Sequence, residues 1–300
     1  MAVHFDMSPL RDAGAGPVSR KSLLSMPHPQ VLFMYACPQC KGPLLQFNCA
    51  RCGVHYPLVE GIPCFMMESA GDSGQMIRQI YDDIYRHHEN VWVDQGRSEQ
   101  FMAYFSDLAR SLSSENVLEI GCGEGILLAS LSGVHKFGID PSVQALIRAK
   151  QRSGAECAVA RAEALPFPSE TFDLVVAVGV MEHFEDPEAA TAEVRRALTR
   201  SGHYLALFHT DMGWRARLAL KVKEFVFPRF RPKALVSWIT KKARHPIVQP
   251  LRKSYTQESA RELLERHGLT VTHVISCDRQ PAAPLAGRHV IIFIAKQAAN

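Results

Sequence analysis

No apolar run in these 300 residues approaches the ~20 needed to span a bilayer, and the chain does not open on a basic-then-apolar leader. The longest apolar stretch, Leu174 to Met181, has the length of a buried strand. There is no internal repeat and no low-complexity tract. Charged residues are only 21% against 47% hydrophobic, a composition that excludes a mostly disordered chain. The eight cysteines give little sign of a disulfide framework: Cys64, Cys122, Cys157 and Cys277 are scattered, the last three in or beside apolar runs, where cysteine usually acts as a small buried hydrophobe. The expectation is a folded protein of a reducing cytoplasm, neither secreted nor integral to a membrane.

The net charge of +4 is unevenly spread. Between Asp211 and Lys253, twelve Lys and Arg face two acids, a local charge of +10 that leaves −6 for the rest. One stretch therefore carries the positive field, and the chain is not a uniformly basic nucleic-acid binder.

Residues 1–30, rich in Pro, Gly, Ser and Met, predict a flexible tail. A Cys-rich module runs over 35–67, punctuated by Pro and Gly, and Gly71 to Gly74 reads as a linker. Helical spacing appears over Gln75–His88 and again over Glu99–Leu112. Strands are predicted at 116–120, 136–139, 157–160, 172–178, 203–208, 270–276 and 288–296, alternating with helices at 125–131, 143–151, 187–198 and 257–267. That alternation predicts an α/β fold: a doubly wound, mainly parallel, Rossmann-like seven-stranded sheet over 75–297, interrupted by the basic insertion 211–253.

The module holds two C-x-x-C pairs, Cys37–Cys40 and Cys49–Cys52, eight residues apart. Two such knuckles can set four thiolates around one Zn²⁺ at ~2.3 Å. About thirty residues bury too little core to fold alone, and a metal supplies the missing stability. A redox dithiol pair or a metal-free ribbon is the competing reading. His55 reads as a surface or packing residue. The continuation from Gly53 to Pro63 resembles the ending of the small zinc-ribbon proteins that activate tRNA and protein methyltransferases, which implies a closed, structural site.

Val117 to Gly125 reads as a strand running into a glycine loop, with Gly121, Gly123 and Gly125 before a helix. Such loops let a ligand approach the backbone. Asp140 ends the next strand, nineteen residues after Gly121, where an acid can accept hydrogen bonds from both ribose hydroxyls. The spacing is G-x-G-x-G rather than the dinucleotide G-x-G-x-x-G, and Glu119 and Glu124 would repel a pyrophosphate. A ligand with a cationic amino-acid end suits the loop better.

Glu119-Ile120-Gly121-Cys122-Gly123-Glu124-Gly125 resembles the first motif of class I S-adenosylmethionine-dependent methyltransferases. Ala162–Phe167, Phe172–Val176, Val180–Pro187 and Tyr255–Leu269 resemble later motifs in the same order. The likeness covers about residues 75–210 and 254–297 and lies nearest the branch of ubiquinone and menaquinone biosynthesis enzymes. It implies S-adenosylmethionine as cofactor, held by Tyr85, Glu119, Gly121, Cys122, Gly123, Asp140, Ala162 and Glu163, with Tyr81 and Tyr85 on a helix over the cofactor. The family often has an Asp two residues before the Glu163 position to meet the adenine amino group. Here that place is Arg161, which leaves adenine to the Ala162 backbone and Glu163, or turns Arg161 outward.

Methyl transfer needs alignment of acceptor and methyl group, and a base only where the acceptor loses a proton. His183 and His209 follow strands at the ligand-binding side and are the candidate bases, with a hydrogen-bonded structural histidine as the plain alternative for each. In the insertion, Trp214, Leu218, Val222 and Phe225 share one helical face, and Leu235, Trp238 and Ile239 form a second stripe. The pattern suits a cover over an apolar or anionic acceptor, a membrane surface, RNA, or a solvated cap. The sequence thus predicts methyl transfer to a small hydrophobic acceptor, with peripheral lipid contact through 211–253. An RNA methyltransferase and a non-catalytic scaffold are the alternatives.

Overall fold

The computed structural model describes residues 35–66, 73–91, 99–112, 114–131, 134–210, 253–276 and 290–298. The tail 1–30, nearly all of the insertion 211–253, and Cys277 lie outside these residues.

The described residues open with four two-residue strands: β1 (Asn48–Cys49) pairs antiparallel with β2 (Val54–His55), and β3 (Leu58–Val59) with β4 (Ile62–Pro63). Helices α1 (Ser73–His87) and α2 (Glu99–Ser111) follow. Ser73 and Gly74, read from the sequence as linker, are the first residues of α1. Then come β5 (Asn116–Ile120), α3 (Ile126–Ser130), β6 (His135–Asp140), α4 (Val143–Ser153), β7 (Glu156–Val159) and β8 (Phe172–Val178). The rest is α5 (Pro187–Ala197), β9 (Leu198–His209), α6 (Gln257–Arg266), β10 (Leu269–Ser276) and β11 (Val290–Gln297).

Local chemistry fixes the helix starts. Asp186 accepts from the amides of Glu188 and Ala189 with Pro187 in the first turn, and Ser142 accepts from Ala145 N. Thr256 and Ser259 form a reciprocal capping box. Gly154, at φ 66°, ends α4 in the left-handed region.

Seven strands form one sheet in the order β10-β11-β9-β8-β5-β6-β7. β5 to β9 are mutually parallel, and β11 runs antiparallel to both neighbours. Side chains alternate between its faces with period two. Leu118, Ile120, Val175 and Ala177 pack toward α5 and α6, while Val117, Leu174, Val176 and Val178 pack toward Phe101 and Phe105 of α2. Both faces are covered, which is why β8 is an almost unbroken apolar run. The chain runs outward from β5 to β7, then returns to lay β8 on the other side of β5. That reversal is where open α/β sheets bind ligands, beyond the strand C-termini.

The Cys-rich module is packed against this sheet. Cys64 forms a parallel bridge with Val159 of edge strand β7, and Phe65 N donates to Val159 O at 2.8 Å. Tyr35, Phe47, Tyr56 and Phe65 join the same core as Phe137, Phe167 and Phe172. Among the described residues no helix is long and apolar enough to cross a membrane.

Candidate cofactor cleft and cysteine cluster

β5 delivers the glycine loop to the reversal point. Gly121 stands at φ +64°, and a Cβ there would come within 2.4 Å of Val180 Cγ1. Gly125 stands at φ +69°, and its Cβ would meet Ala149 Cα at 2.9 Å. Both positions demand glycine on conformation and on space.

A cleft of about 710 Å³, open to solvent, lies over the loop. Ile77, Tyr81 and Tyr85, spaced four apart on α1, form one wall. Ile120, Gly121, Ile139, Asp140 and Pro141 form the floor at the ends of β5 and β6. Ala160, Arg161, Ala162 and Glu163 follow β7, and Gly179, Val180, His183, Phe184 and Glu185 follow β8. Asp82 holds the wall in place, accepting from Ser142 Oγ at 2.7 Å and Gln144 N at 3.2 Å at the start of α4.

The acid of the floor is buried, with Asp140 5% exposed. Its Oδ2 accepts from Gly123 N at 3.0 Å and its Oδ1 from Ser142 N at 2.9 Å. The carboxylate thus braces the glycine loop and the next helix.

The predicted site residues divide. Tyr85, Gly121, Asp140, Ala162, Glu163 and His183 line the cleft; Glu119, Cys122, Gly123 and His209 are not in its lining. Glu119 is buried within β5. Cys122 lies beneath the loop, where a Cβ on Gly138 would come within 2.7 Å of its Sγ, and burial raises its thiol well above the ordinary value. Glu163 reaches the cleft, but its Oε1 accepts from Glu185 N at 2.9 Å and Asp186 N at 3.4 Å. Arg161 does not turn outward: it lines the cleft and is paired with Glu185 and, at 3.5 Å, with Glu163 Oε2. Burial alone would lower its basicity; the two carboxylates outweigh that and raise it.

Glu182 is the site residue that sequence reasoning passed over. It is 5% exposed, and its Oε1 lies 2.6 Å from His209 Nδ1 and 3.6 Å from His183 Nε2. Burial raises a carboxyl, but the His209 hydrogen bond and the two imidazoles lower it further, so Glu182 is held below its ordinary value. It lies in the Val180–Pro187 stretch that resembles a methyltransferase motif, where it was given no role of its own. Across the insertion the chain returns to this same turn. Lys253 N donates to Glu182 O at 2.9 Å, Lys253 Nζ to Glu185 O at 2.7 Å and Tyr255 OH to Met181 O at 3.2 Å.

The four knuckle cysteines converge. The Sγ atoms of Cys37, Cys40, Cys49 and Cys52 all lie within 4.8 Å of one another, with Cys40–Cys49 at 3.5 Å and Cys37–Cys52 at 4.0 Å. Thiolates bound tetrahedrally at about 2.3 Å stand about 3.8 Å apart, so the cluster fits a zinc-sized ion. Burial opposes ionisation of Cys37, yet the Tyr56 hydroxyl and the Cys40 and Gln39 amides hold its thiol down at about 6. His55 stands apart from the cluster, exposed, with its Nδ1 3.0 Å from Asn48 Oδ1.

Residues 118–206 match a family model described as "Methyltransferase domain". A ubiquinone biosynthesis O-methyltransferase of Rhodopseudomonas palustris is 29% identical over 135 residues, covering 42% of this chain and 52% of that one. A protein of Mycobacterium tuberculosis H37Rv is 44% identical over 85 residues, 28% of this chain and 29% of that one. The chain spans between 28% and 57% of the length of the curated relatives it matches. Among solved structures, magnesium protoporphyrin IX methyltransferase of Synechocystis PCC 6803, with bound SAH, is similar in fold. Its TM-score is 0.51 at 15% identity, over 75% of this chain and 99% of that one. Strand order and family match agree: the chain has the α/β, Rossmann-like methyltransferase fold with a seven-stranded, mostly parallel sheet, and residues 118–206 are similar to the methyltransferase domain.

Proposed function

We propose that the protein transfers a methyl group from S-adenosylmethionine to a small, hydrophobic acceptor and carries one structural Zn²⁺ on Cys37, Cys40, Cys49 and Cys52. The cleft at the strand reversal supports the cofactor reading above all. Gly121 lines the cleft with its backbone, packed tightly on Val180, a buried acid stands beside it, and Ile77, Tyr81 and Tyr85 form a wall. Asp140 would take the ribose hydroxyls, Gly121 would admit the ligand close to the backbone, and Ala162 would meet the adenine edge through its main chain. Glu163, beside Ala162 in the cleft lining, also ties the β7 and β8 turns together through its Oε1. When bound, S-adenosylmethionine supplies an electrophilic methyl group on a sulfonium.

The protein's own work is then alignment and exclusion of water by the α1 wall. Where the acceptor must lose a proton, His183 is the base, because it lines the cleft. A proton taken up by this imidazole is stabilised by the Glu182 carboxylate 3.6 Å from its Nε2. His209, half exposed and paired to Glu182, serves as the partner of that carboxylate. Thr210 and Tyr255, which flank the insertion 211–253, bridge beside the turn that carries His183, and we assign the insertion to the acceptor side, its Lys and Arg residues serving contact with anionic lipid.

Titration calorimetry with S-adenosylhomocysteine tests the cofactor reading. One site per chain is expected, and a folded chain that binds none overturns it. Under those conditions RNA binding with a steep salt slope would move the acceptor from small molecules to nucleic acid.

A further inference from the structure

The stretch from Val159 to Phe167 carries the β7-side wall of the cleft, Ala160 to Glu163. The Cys module holds it near both ends. At one end, Cys64 bridges Val159 and Phe65 N donates to Val159 O. At the other, Ala36 N donates to Pro166 O at 3.0 Å, and Tyr35 stacks on Phe167 with ring centroids 5.5 Å apart.

The remaining tie comes from inside the first knuckle. Lys41 sits between the ligand-type Cys40 and Gly42 at φ +58°, with its own amide bonded to Cys37 O at 2.7 Å. From there its Nζ donates to Leu165 O at 3.3 Å and to Glu193 Oε2 at 2.6 Å on α5. The same Oε2 accepts from Leu165 N at 2.8 Å, and Arg196 closes the group on Glu193 and on Phe167 O. Both main-chain polar groups of Leu165 are therefore set by one cluster. Leu165 directly follows a 3₁₀ turn, Ala162–Ala164, which presents Ala162 and Glu163 to the cleft.

We infer that the metal in the cysteine cluster and the nucleoside cofactor in the cleft bind cooperatively, with Lys41 as the positioning residue that couples them. The inference rests on the cofactor reading above. Four thiolates around one ion fix the turn from Cys37 to Gly42, and with it the direction in which Lys41 leaves the module. Without the ion that turn loses its constraint, and Leu165 keeps only the α5 side of its clamp. A ligand that needs the ordered wall then binds more weakly. By linkage, a ligand that orders the wall must tighten the metal by the same factor.

The test measures that reciprocity on the intact chain. Zinc affinity is read by competition with a chromophoric chelator, with and without saturating S-adenosylhomocysteine. Calorimetry gives S-adenosylhomocysteine affinity for the zinc-loaded and chelated chain. The expected coupling is about tenfold in both directions. Lys41→Met keeps the stem and removes the ammonium: one zinc per chain should remain while the coupling falls to about twofold or less. A merely structural lysine would lower the melting temperature and leave the ratio unchanged. Equal zinc affinity with and without S-adenosylhomocysteine overturns the inference, as does full coupling in Lys41→Met. Absence of S-adenosylhomocysteine binding to the zinc-loaded chain overturns the cofactor reading and this inference with it.

Discussion

Asp140 shows how much one residue's role depends on its neighbours. Its spacing after Gly121 marked it in the sequence, since an acid ending the second strand of a doubly wound sheet faces the reversal point. Its two backbone partners, Gly123 N and Ser142 N, were not legible, because they depend on how the loop folds back over the strand end. The double duty has a measurable consequence. Asp140→Ala should weaken S-adenosylhomocysteine binding at least tenfold in calorimetry, as charged hydrogen bonds of roughly 1.5–3 kcal/mol are lost. It should also lower stability, because two buried amides lose their acceptor. Asp140→Asn keeps one carbonyl acceptor and should recover more of the stability than of the binding. Glu182 is the opposite case. Its partner His209 is far along the chain, and only the return of β9 beside the β8 turn brings them to 2.6 Å.

At the scale of elements, strands and helices were legible wherever period and caps agreed. β8 was found residue for residue, and α5 to within one. β9 was not: the expected strand 203–208 is Leu198–His209. Thr199 to Gly202 fell between the expected helix and strand, but Leu198 pairs with Phe172 before an irregularity restores the register at His203 with Leu174. Pairing with a neighbour decided what local propensity could not. The packing of α5 and the β8 turn on the sheet also predicts a pH response. Glu193, on α5, and Glu182, in the turn, are both pushed up by burial but brought below the ordinary value of 4.5 by Arg196 and Lys41 in one case and His209 in the other. A carboxyl with a depressed folded value binds its proton more readily unfolded. The stabilisation is therefore complete above about pH 4.5 and drains as pH falls through the folded values. Denaturant midpoints between about pH 6 and 3 should fall more steeply for wild type than for Glu193→Gln or Glu182→Gln. Parallel curves would contradict the pairing.

For the whole molecule, the sequence pointed to a small module beside a larger domain, and the structure packs the module into the domain's core. Tyr35 and Phe65 share one aromatic cluster with Phe167, and the edge of β7 is bridged by Cys64. None of this is written in the spacing of the cysteines, which concerns the module alone. Metal loss should therefore be felt beyond the module. The wild-type chain should hold one zinc, whereas Cys49→Ser should hold none and melt at a lower temperature as one cooperative unit. Structural zinc sites supply about 10–16 kcal/mol of apparent binding energy in small modules. Equal zinc content in the two proteins would remove the assignment. The same packing sets an order of events during synthesis. The module leaves the ribosome about a hundred residues ahead of Phe167, its aromatic cover. At 5–20 residues per second that is a wait of roughly 5–20 s. Through that interval Tyr35 is without its Phe167 partner and the thiols are open to metal, so zinc capture during translation should raise the yield of folded protein.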